Sequence, residues 1–122
     1  MRGNQGARMA LTYGSHTSRE EGVCLMEAVA LLGNEPHGDH PACCCPVLAA
    51  FGRSLNDAMG RGDAGDALRA KHLAPLAPML VGTRNPELAQ RRAFILVDAA
   101  VRELAPLARD ALGLNEDAER LR

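Results

Sequence analysis

The stretch VCLMEAVALL, residues 23–32, decides the fold, because it is apolar on nearly every face of a helix. Glu27 is the one charged residue within it. A helix that is apolar all round lies in the interior of a globular protein rather than on its surface. We therefore predict that this helix forms the centre of the molecule, with the rest of the chain packed around it.

The start of this helix has two candidate positions. Two residue pairs upstream have the spacing of a capping box, Thr17 with Glu20 and Ser18 with Glu21. Either pair predicts a helix that runs to about Leu32 and stops at Gly33, since glycine is the usual residue after a helix end.

The chain before this helix differs in character from the rest. Residues 1–14 lack periodicity and contain several glycines, which predicts a flexible N-terminal arm. A short packed piece at residues 9–13 is the alternative for part of this arm. Residues 15–122 are enough for one domain and too few for two. We predict a single helical domain over that range.

Proline residues place the later helices. Proline is typical of the first position of a helix, so Pro46 predicts the start of a second helix. The apolar face of this helix is predicted to be Val47, Leu48, Phe51, Leu55 and Met59. A third helix is predicted from about Asp66 to His72. Pro75 and Pro78 limit the stretch LAPLAPML to short turns.

The last long helix is predicted to begin at Pro86, after an Asn85 cap, and to reach at least Glu103. Pro106 is expected to kink or restart it. No alternating pattern typical of strands occurs in the sequence. The chain is therefore predicted to be all-α, an irregular bundle of four to five helices with a Cys/His-containing loop.

Composition excludes some classes of function. The 122 residues carry a formal net charge of −1, which does not resemble the basic surface of a nucleic-acid binder. No apolar run approaches the eighteen or so residues of a membrane span, and the N-terminal residues lack the apolar stretch of a secretory signal. We expect a cytoplasmic protein with reduced cysteines.

The loop GNEPHGDHPACCC, residues 33–45, concentrates groups that can bind metal. Zinc prefers four nitrogen and sulfur ligands in a tetrahedron, and a loop folded back on a helix can supply them. We predict a zinc site made by Cys24, His37, His40 and Cys43. In the alternative interpretation the histidines are solvated and the cysteines pack as small apolar groups.

The same segment offers the parts of a thiol enzyme. Cys24 would be the nucleophile, His37 or His40 the base, and Glu27 or Asp39 the group that orients the base. Cys45, at the start of the second helix, is predicted to be the more reactive thiol of the consecutive cysteines. A thiol inside a buried helix is normally inert, which argues against the interpretation as an enzyme.

The remaining polar residues have structural interpretations. For Glu27, we favour an ion pair with an arginine, or a carboxylate at the rim of the core, over a role as ligand or base. His16 and His72 are isolated in the sequence and are interpreted as surface or rim residues.

The run SREEGVCLMEAVALLGNEPHGDHPACCCPVLAAFGRSLNDAM, residues 18–59, resembles a family of short, uncharacterised bacterial and phage-associated proteins. The resemblance extends weakly through LAPLAPMLVGTR and covers residues 15 to about 84. The family has no established activity, so the resemblance implies an accessory bacterial protein and no catalytic role for any residue.

The function that these features favour is a small non-enzymatic binding or regulatory module. Its Cys/His loop is either stabilised by zinc or serves as an interaction surface. The alternatives are a small thiol-dependent hydrolase and a protein-binding inhibitor or adaptor of phage or mobile-element origin. The expected partners are another protein or a second copy of this chain.

Overall fold

The structure is a computed structural model that describes residues 10–111, 113 and 120. Its regular elements are helices, and none of the described residues lies in a strand, which confirms the predicted all-α class. The chain divides into two compact units, Met1–Pro86 and Glu87–Arg122. The first nine residues of the predicted arm lie outside the described residues.

The first unit contains the helices that position the candidate site. They are α1 (Leu25–Leu32), α2 (Pro46–Ala58), α3 (Gly62–His72), a 3-10 turn (Ala74–Leu76) and α4 (Ala77–Leu80). Helix α1 packs against both α2 and α4, while α3 packs against the 3-10 turn.

Helix α1 is the centre of this unit, as the sequence predicts. Every residue from Leu25 to Ala30 is buried, including the charged Glu27. The buried core around it also contains Leu11, Cys24, Cys44, Ala49, Leu73, Ala74 and Ala77. Small side chains dominate this set, so the helices approach closely without aromatic residues between them.

Helix α1 begins later than predicted, at Leu25, and Cys24 is its N-cap. The Cys24 thiol accepts a hydrogen bond from the Glu27 backbone N–H, and the Glu27 carboxylate accepts one from the Cys24 backbone N–H. This reciprocal pair is a capping box with cysteine in the place of serine or threonine. The predicted start near residue 18 is wrong, because residues 18–22 close into turns that end at Gly22, with φ 143°.

The residues before α1 are packed where the structure describes them. Leu11 is 1% exposed, and the Thr12 backbone N–H donates to the Val23 carbonyl oxygen at 2.9 Å. Leu11 and Thr12 are therefore packed against the first unit, and the flexible arm over residues 1–14 stays a prediction.

The proline-based helix starts are confirmed at Pro46 and Pro86. Helix α3 begins at Gly62, four residues before the predicted position. In the second unit α5 (Pro86–Ala99) passes through a wider π-helical turn (Ala100–Leu104) into α6 (Ala105–Ala111). The wider turn has a physical reason: Pro106 has no N–H to donate, and its ring clashes with the carbonyl four residues earlier.

Candidate functional site

A buried carboxylate lies at the middle of the candidate site. The Glu27 side chain is 1% exposed, and its Oε1 accepts hydrogen bonds at 2.8 Å from His16 Nδ1 and from the Cys24 backbone N–H. Its Oε2 accepts one from the His16 backbone N–H at 2.7 Å and lies 3.1 Å from His37 Nε2. We call His16, Cys24, Glu27 and His37 the Glu27 centre.

These contacts set the ionisation of the two acidic groups in the Glu27 centre. Burial alone would raise the pKa of Glu27, but hydrogen bonds from His16 and Cys24 outweigh it and lower that pKa below its ordinary value. Burial raises the pKa of the Cys24 thiol to about 12, with the nearby Glu27 charge acting in the same direction. At neutral pH the centre therefore holds a carboxylate and a protonated thiol.

His37 connects the loop to the segment before α1. Its Nε2 donates to the His16 backbone carbonyl oxygen at 2.8 Å, beside Glu27 Oε2. Its Nδ1 is buried and has no hydrogen-bond partner among the described residues. An imidazole that carries a hydrogen on Nε2 fits the bond to the His16 carbonyl.

Two of the four predicted zinc ligands each contact Glu27. Cys24 and His37 meet at Glu27, whereas the His40 side chain is 75% exposed and bonds Asp39 through Nδ1 at 2.7 Å. Cys43 bonds Glu35 instead. In the described part of the chain, no three His, Cys, Asp or Glu side chains form a group that could hold a metal ion. The zinc site stays a prediction.

A second carboxylate, Glu35, holds the loop in place. It accepts hydrogen bonds from the Ala42 backbone N–H at 2.7 Å and from the Cys43 backbone N–H at 2.9 Å. The Cys43 thiol also bonds it, and this thiol together with the two N–H groups lowers the pKa of Glu35. Burial, followed by this bond to Glu35, raises the pKa of Cys43.

Cys45 does not lie where a reactive thiol is expected. Its side chain is completely buried, and its backbone N–H donates to Thr83 Oγ1 at 3.0 Å. The adjacent Cys44 is also buried. Cys44 and Cys45 therefore line the interior at the start of α2, and an attacking reagent has little access to them.

Sequence reasoning missed three polar residues that the site depends on. His16, predicted to be a surface or rim residue, is 13% exposed and is the main side-chain partner of Glu27. Asn56 is not among the positions predicted for the apolar face of α2, yet it is 1% exposed. Its Oδ1 accepts from the Leu25 N–H and its Nδ2 donates to the Thr12 carbonyl. Arg69 is fully buried beneath α2.

Two cavities flank Arg53 on α2. The smaller, of about 80 Å³, is lined by Gly14, Ser15, Cys24, Asp39, Arg53, Asn56 and Asp57. The larger, of about 290 Å³, is lined by His40, Pro41, Ala42, Cys44, Pro46, Ala49, Arg53 and Arg84. We call the larger one the Arg53–Arg84 cavity; it is the roomier of the two and is bounded by the Cys/His loop.

No helix in the described ranges is long and apolar enough to cross a lipid bilayer. The resemblance to short bacterial and phage-associated proteins stays a prediction. Comparison of the chain with family models, with curated proteins and with solved structures finds no match.

Proposed function

We propose that this protein is a small non-enzymatic binding or regulatory module. The observation that carries the proposal is the Arg53–Arg84 cavity, a partly enclosed space of about 290 Å³ beside the Cys/His loop. Its volume is close to the lower end of the range of small-molecule sites in proteins. Its walls combine apolar side chains with two arginines, the mixture that such sites use for affinity and for orientation.

The chemistry of the Glu27 centre supports binding rather than catalysis. The Glu27 carboxylate accepts hydrogen bonds from groups of the protein itself on both oxygens, so it has no role left as a base. The Cys24 thiol is buried and its pKa is raised to about 12, which leaves almost none of the nucleophilic thiolate at neutral pH. These groups join the segment before α1 to the Cys/His loop.

The thiol-hydrolase alternative is tested by alkylation of the folded protein near pH 7. We expect iodoacetamide to label Cys24 at least about ten times more slowly than it labels the same residue in urea, since only the thiolate reacts. Mass spectrometry of peptides follows each cysteine separately. Cys43, which is partly exposed, serves as the internal comparison. Faster labelling of any cysteine in the folded than in the unfolded chain would contradict the non-enzymatic proposal.

The zinc-stabilised form of the module is a separate proposal with its own test. It requires about one zinc per chain, the stoichiometry of a structural four-ligand site, in protein purified without chelator. His40→Ala and Cys43→Ser must then lower both the zinc content and the melting temperature measured with zinc present. His72→Ala, which changes an exposed histidine on α3, is the matched control. Zinc content that the first two substitutions leave unchanged would remove the proposed ligand set.

Three further proposals concern the setting of the module. They are a protein partner or a second copy of this chain, a role as inhibitor or adaptor, and a cytoplasmic location. Size-exclusion chromatography with light scattering tests self-association directly, and a mass of one chain across a hundredfold range of concentration would exclude the second copy.

A further inference from the structure

We propose that the Arg53–Arg84 cavity binds a small phosphate monoester, with the phosphate on the two guanidinium groups and the organic group on the apolar wall. This inference rests on the proposed binding function and names the class of ligand. It follows from the charge of the cavity, the main-chain bonds that hold its two sides together and the volume that it encloses.

Neither arginine of the cavity forms an ion pair with an acidic side chain of the described residues. The Arg53 guanidinium donates from Nη1 to the Asp39 backbone carbonyl at 2.9 Å and forms no ion pair with a described residue. The Arg84 side chain has neither a hydrogen bond nor an ion pair within the described ranges. Two guanidinium groups match the charge of a dianionic phosphate, which accepts paired N–H donors from arginine.

The described residues that line the cavity include no acidic side chain. The Asp39 carboxylate, which is the acidic group next in the chain to a lining residue, bonds His40 Nδ1 at 2.7 Å and does not line the space. An anion entering the cavity therefore meets no carboxylate on its wall, whereas a cation would have no counter-charge there.

Main-chain contacts hold the two sides of the cavity together before any ligand arrives. The Arg84 backbone N–H donates to the Cys43 carbonyl oxygen at 3.2 Å. Thr83 Oγ1 accepts from the Cys45 N–H at 3.0 Å and donates to the Leu80 carbonyl at 2.7 Å. These bonds fix the segment that carries Arg84 to the start of α2, so little ordering of the backbone remains to oppose binding.

The start of α2 adds to the positive potential. Cys45, the N-cap, makes no side-chain capping hydrogen bond, and the first turn contributes Pro46 and Ala49 to the wall. The N-terminal end of a helix carries partial positive charge from its unpaired N–H groups. This contribution is secondary to the two arginines, because the dipole of one helix end is equivalent to about half a charge.

The rest of the wall selects the organic part of the ligand. It is formed by His40 and by the apolar side chains of Pro41, Ala42, Cys44, Pro46 and Ala49. A space of about 290 Å³ lies just below the usual range for drug-sized ligands, so it admits a compact group and not a nucleotide. The ligand class is therefore a phosphate ester of a small apolar alcohol or phenol.

The test is a titration of the full chain with phenyl phosphate, followed by two-dimensional ¹H–¹⁵N NMR that includes the arginine Nε–H signals. We expect saturable shifts at Arg53, Arg84 and Ala49. Arg84→Gln is expected to weaken binding by at least roughly ten-fold, because it removes a charge-assisted hydrogen-bond donor group. Lys71→Gln removes the same charge from the exposed face of α3 and should leave the affinity unchanged.

Each other outcome overturns a defined part of the proposal. Equal affinity for benzoate would overturn the phosphate assignment, and equal affinity for inorganic phosphate would overturn the role of the apolar wall. Unchanged affinity in both Arg84→Gln and Arg53→Gln would overturn the site itself, with circular dichroism confirming that both variants are folded.

The same titration separates this proposal from the proposed function. If ³¹P spectra show phenyl phosphate converted to inorganic phosphate, the protein is an enzyme and the non-enzymatic module is wrong, even though binding occurs. A third outcome combines an intact ester, slow labelling of the thiols and no NMR shift at any residue of the cavity. In that case the ligand assignment is wrong, while the proposal of a non-enzymatic module stands.

Discussion

Glu27→Ala is expected to lower the free energy of unfolding by about 3 kcal/mol or more, which is a large part of the stability of a small domain. The substitution removes the acceptor of His16 Nδ1 and of the His16 and Cys24 backbone N–H groups. A buried donor without an acceptor has lost its hydrogen bond to water and forms no other hydrogen bond in the folded protein. Urea denaturation followed by circular dichroism measures the loss.

Two further variants separate the contribution of the Glu27 centre from a general loss of negative charge. Glu21→Ala removes an exposed carboxylate that bonds the backbone N–H and the side chain of Thr17, and it should change stability by less than about 1 kcal/mol. Glu27→Gln keeps the shape of the side chain and one acceptor oxygen. A Glu27→Ala protein as stable as Glu21→Ala would contradict the central role that we assign to this residue.

The pH dependence of folding stability gives a second measurement of the role of Glu27. Its pKa is lower in the folded than in the unfolded protein, so its ionised form stabilises the fold above the ordinary carboxyl range. That contribution is lost as the pH falls from roughly 4.5 through the folded pKa. The stability difference between the natural protein and Glu27→Gln should therefore shrink over that interval. A difference that stays constant down to about pH 3 would show that the charge of Glu27 does not matter.

Arg69→Ala is the second substitution expected to have a large effect, again about 3 kcal/mol or more. The Arg69 side chain is fully buried and donates to the Asn56 carbonyl and to Asp66 Oδ1, each at 2.8 Å, and to the Gly60 carbonyl. It thereby ties α3 to the end of α2. Alanine leaves a cavity and removes the donors from buried carbonyl oxygens.

Two substitutions serve as controls for Arg69→Ala. One keeps the positive charge at position 69, and the other changes an exposed residue of the same helix. Arg69→Lys keeps the charge but replaces a planar guanidinium that bonds three acceptors with one compact ammonium group. We therefore expect it to lower the free energy of unfolding by roughly half as much as Arg69→Ala does. Lys71→Ala removes an exposed cation and should change stability by about 0.5 kcal/mol or less. If Arg69→Lys is as stable as the natural protein, the fork geometry is not needed.

The sequence predicted the helices where local chemistry determines them. Pro46 and Pro86 fix helix starts because proline suits a first-turn position and few others. The all-round apolar pattern of residues 23–32 correctly predicted a buried helix, and α1 lies at the centre of the first unit. The start of α1 was misplaced because cysteine is not among the preferred capping residues, whereas Ser18 and Thr17 upstream are.

The polar partners could not be predicted, because they depend on contacts between distant parts of the chain. Asn56 reaches the Thr12 carbonyl across 44 positions, and no local pattern in the sequence specifies that approach. The spacing of His37 and His40 does favour a metal site, but it does not reveal that His37 meets a carboxylate. The one available signal was Glu27 itself, since a lone charge in an apolar helix requires partners from elsewhere.

The Glu27 centre also bears on the order of events in folding. His16 lies eleven positions before Glu27 and His37 ten positions after it, so both bonds close short loops at a small cost in chain entropy. The Asn56 bonds, which span 31 and 44 positions, close much longer ones. We infer that residues 16–37 assemble first on refolding and form a nucleus onto which α2 and α3 then condense.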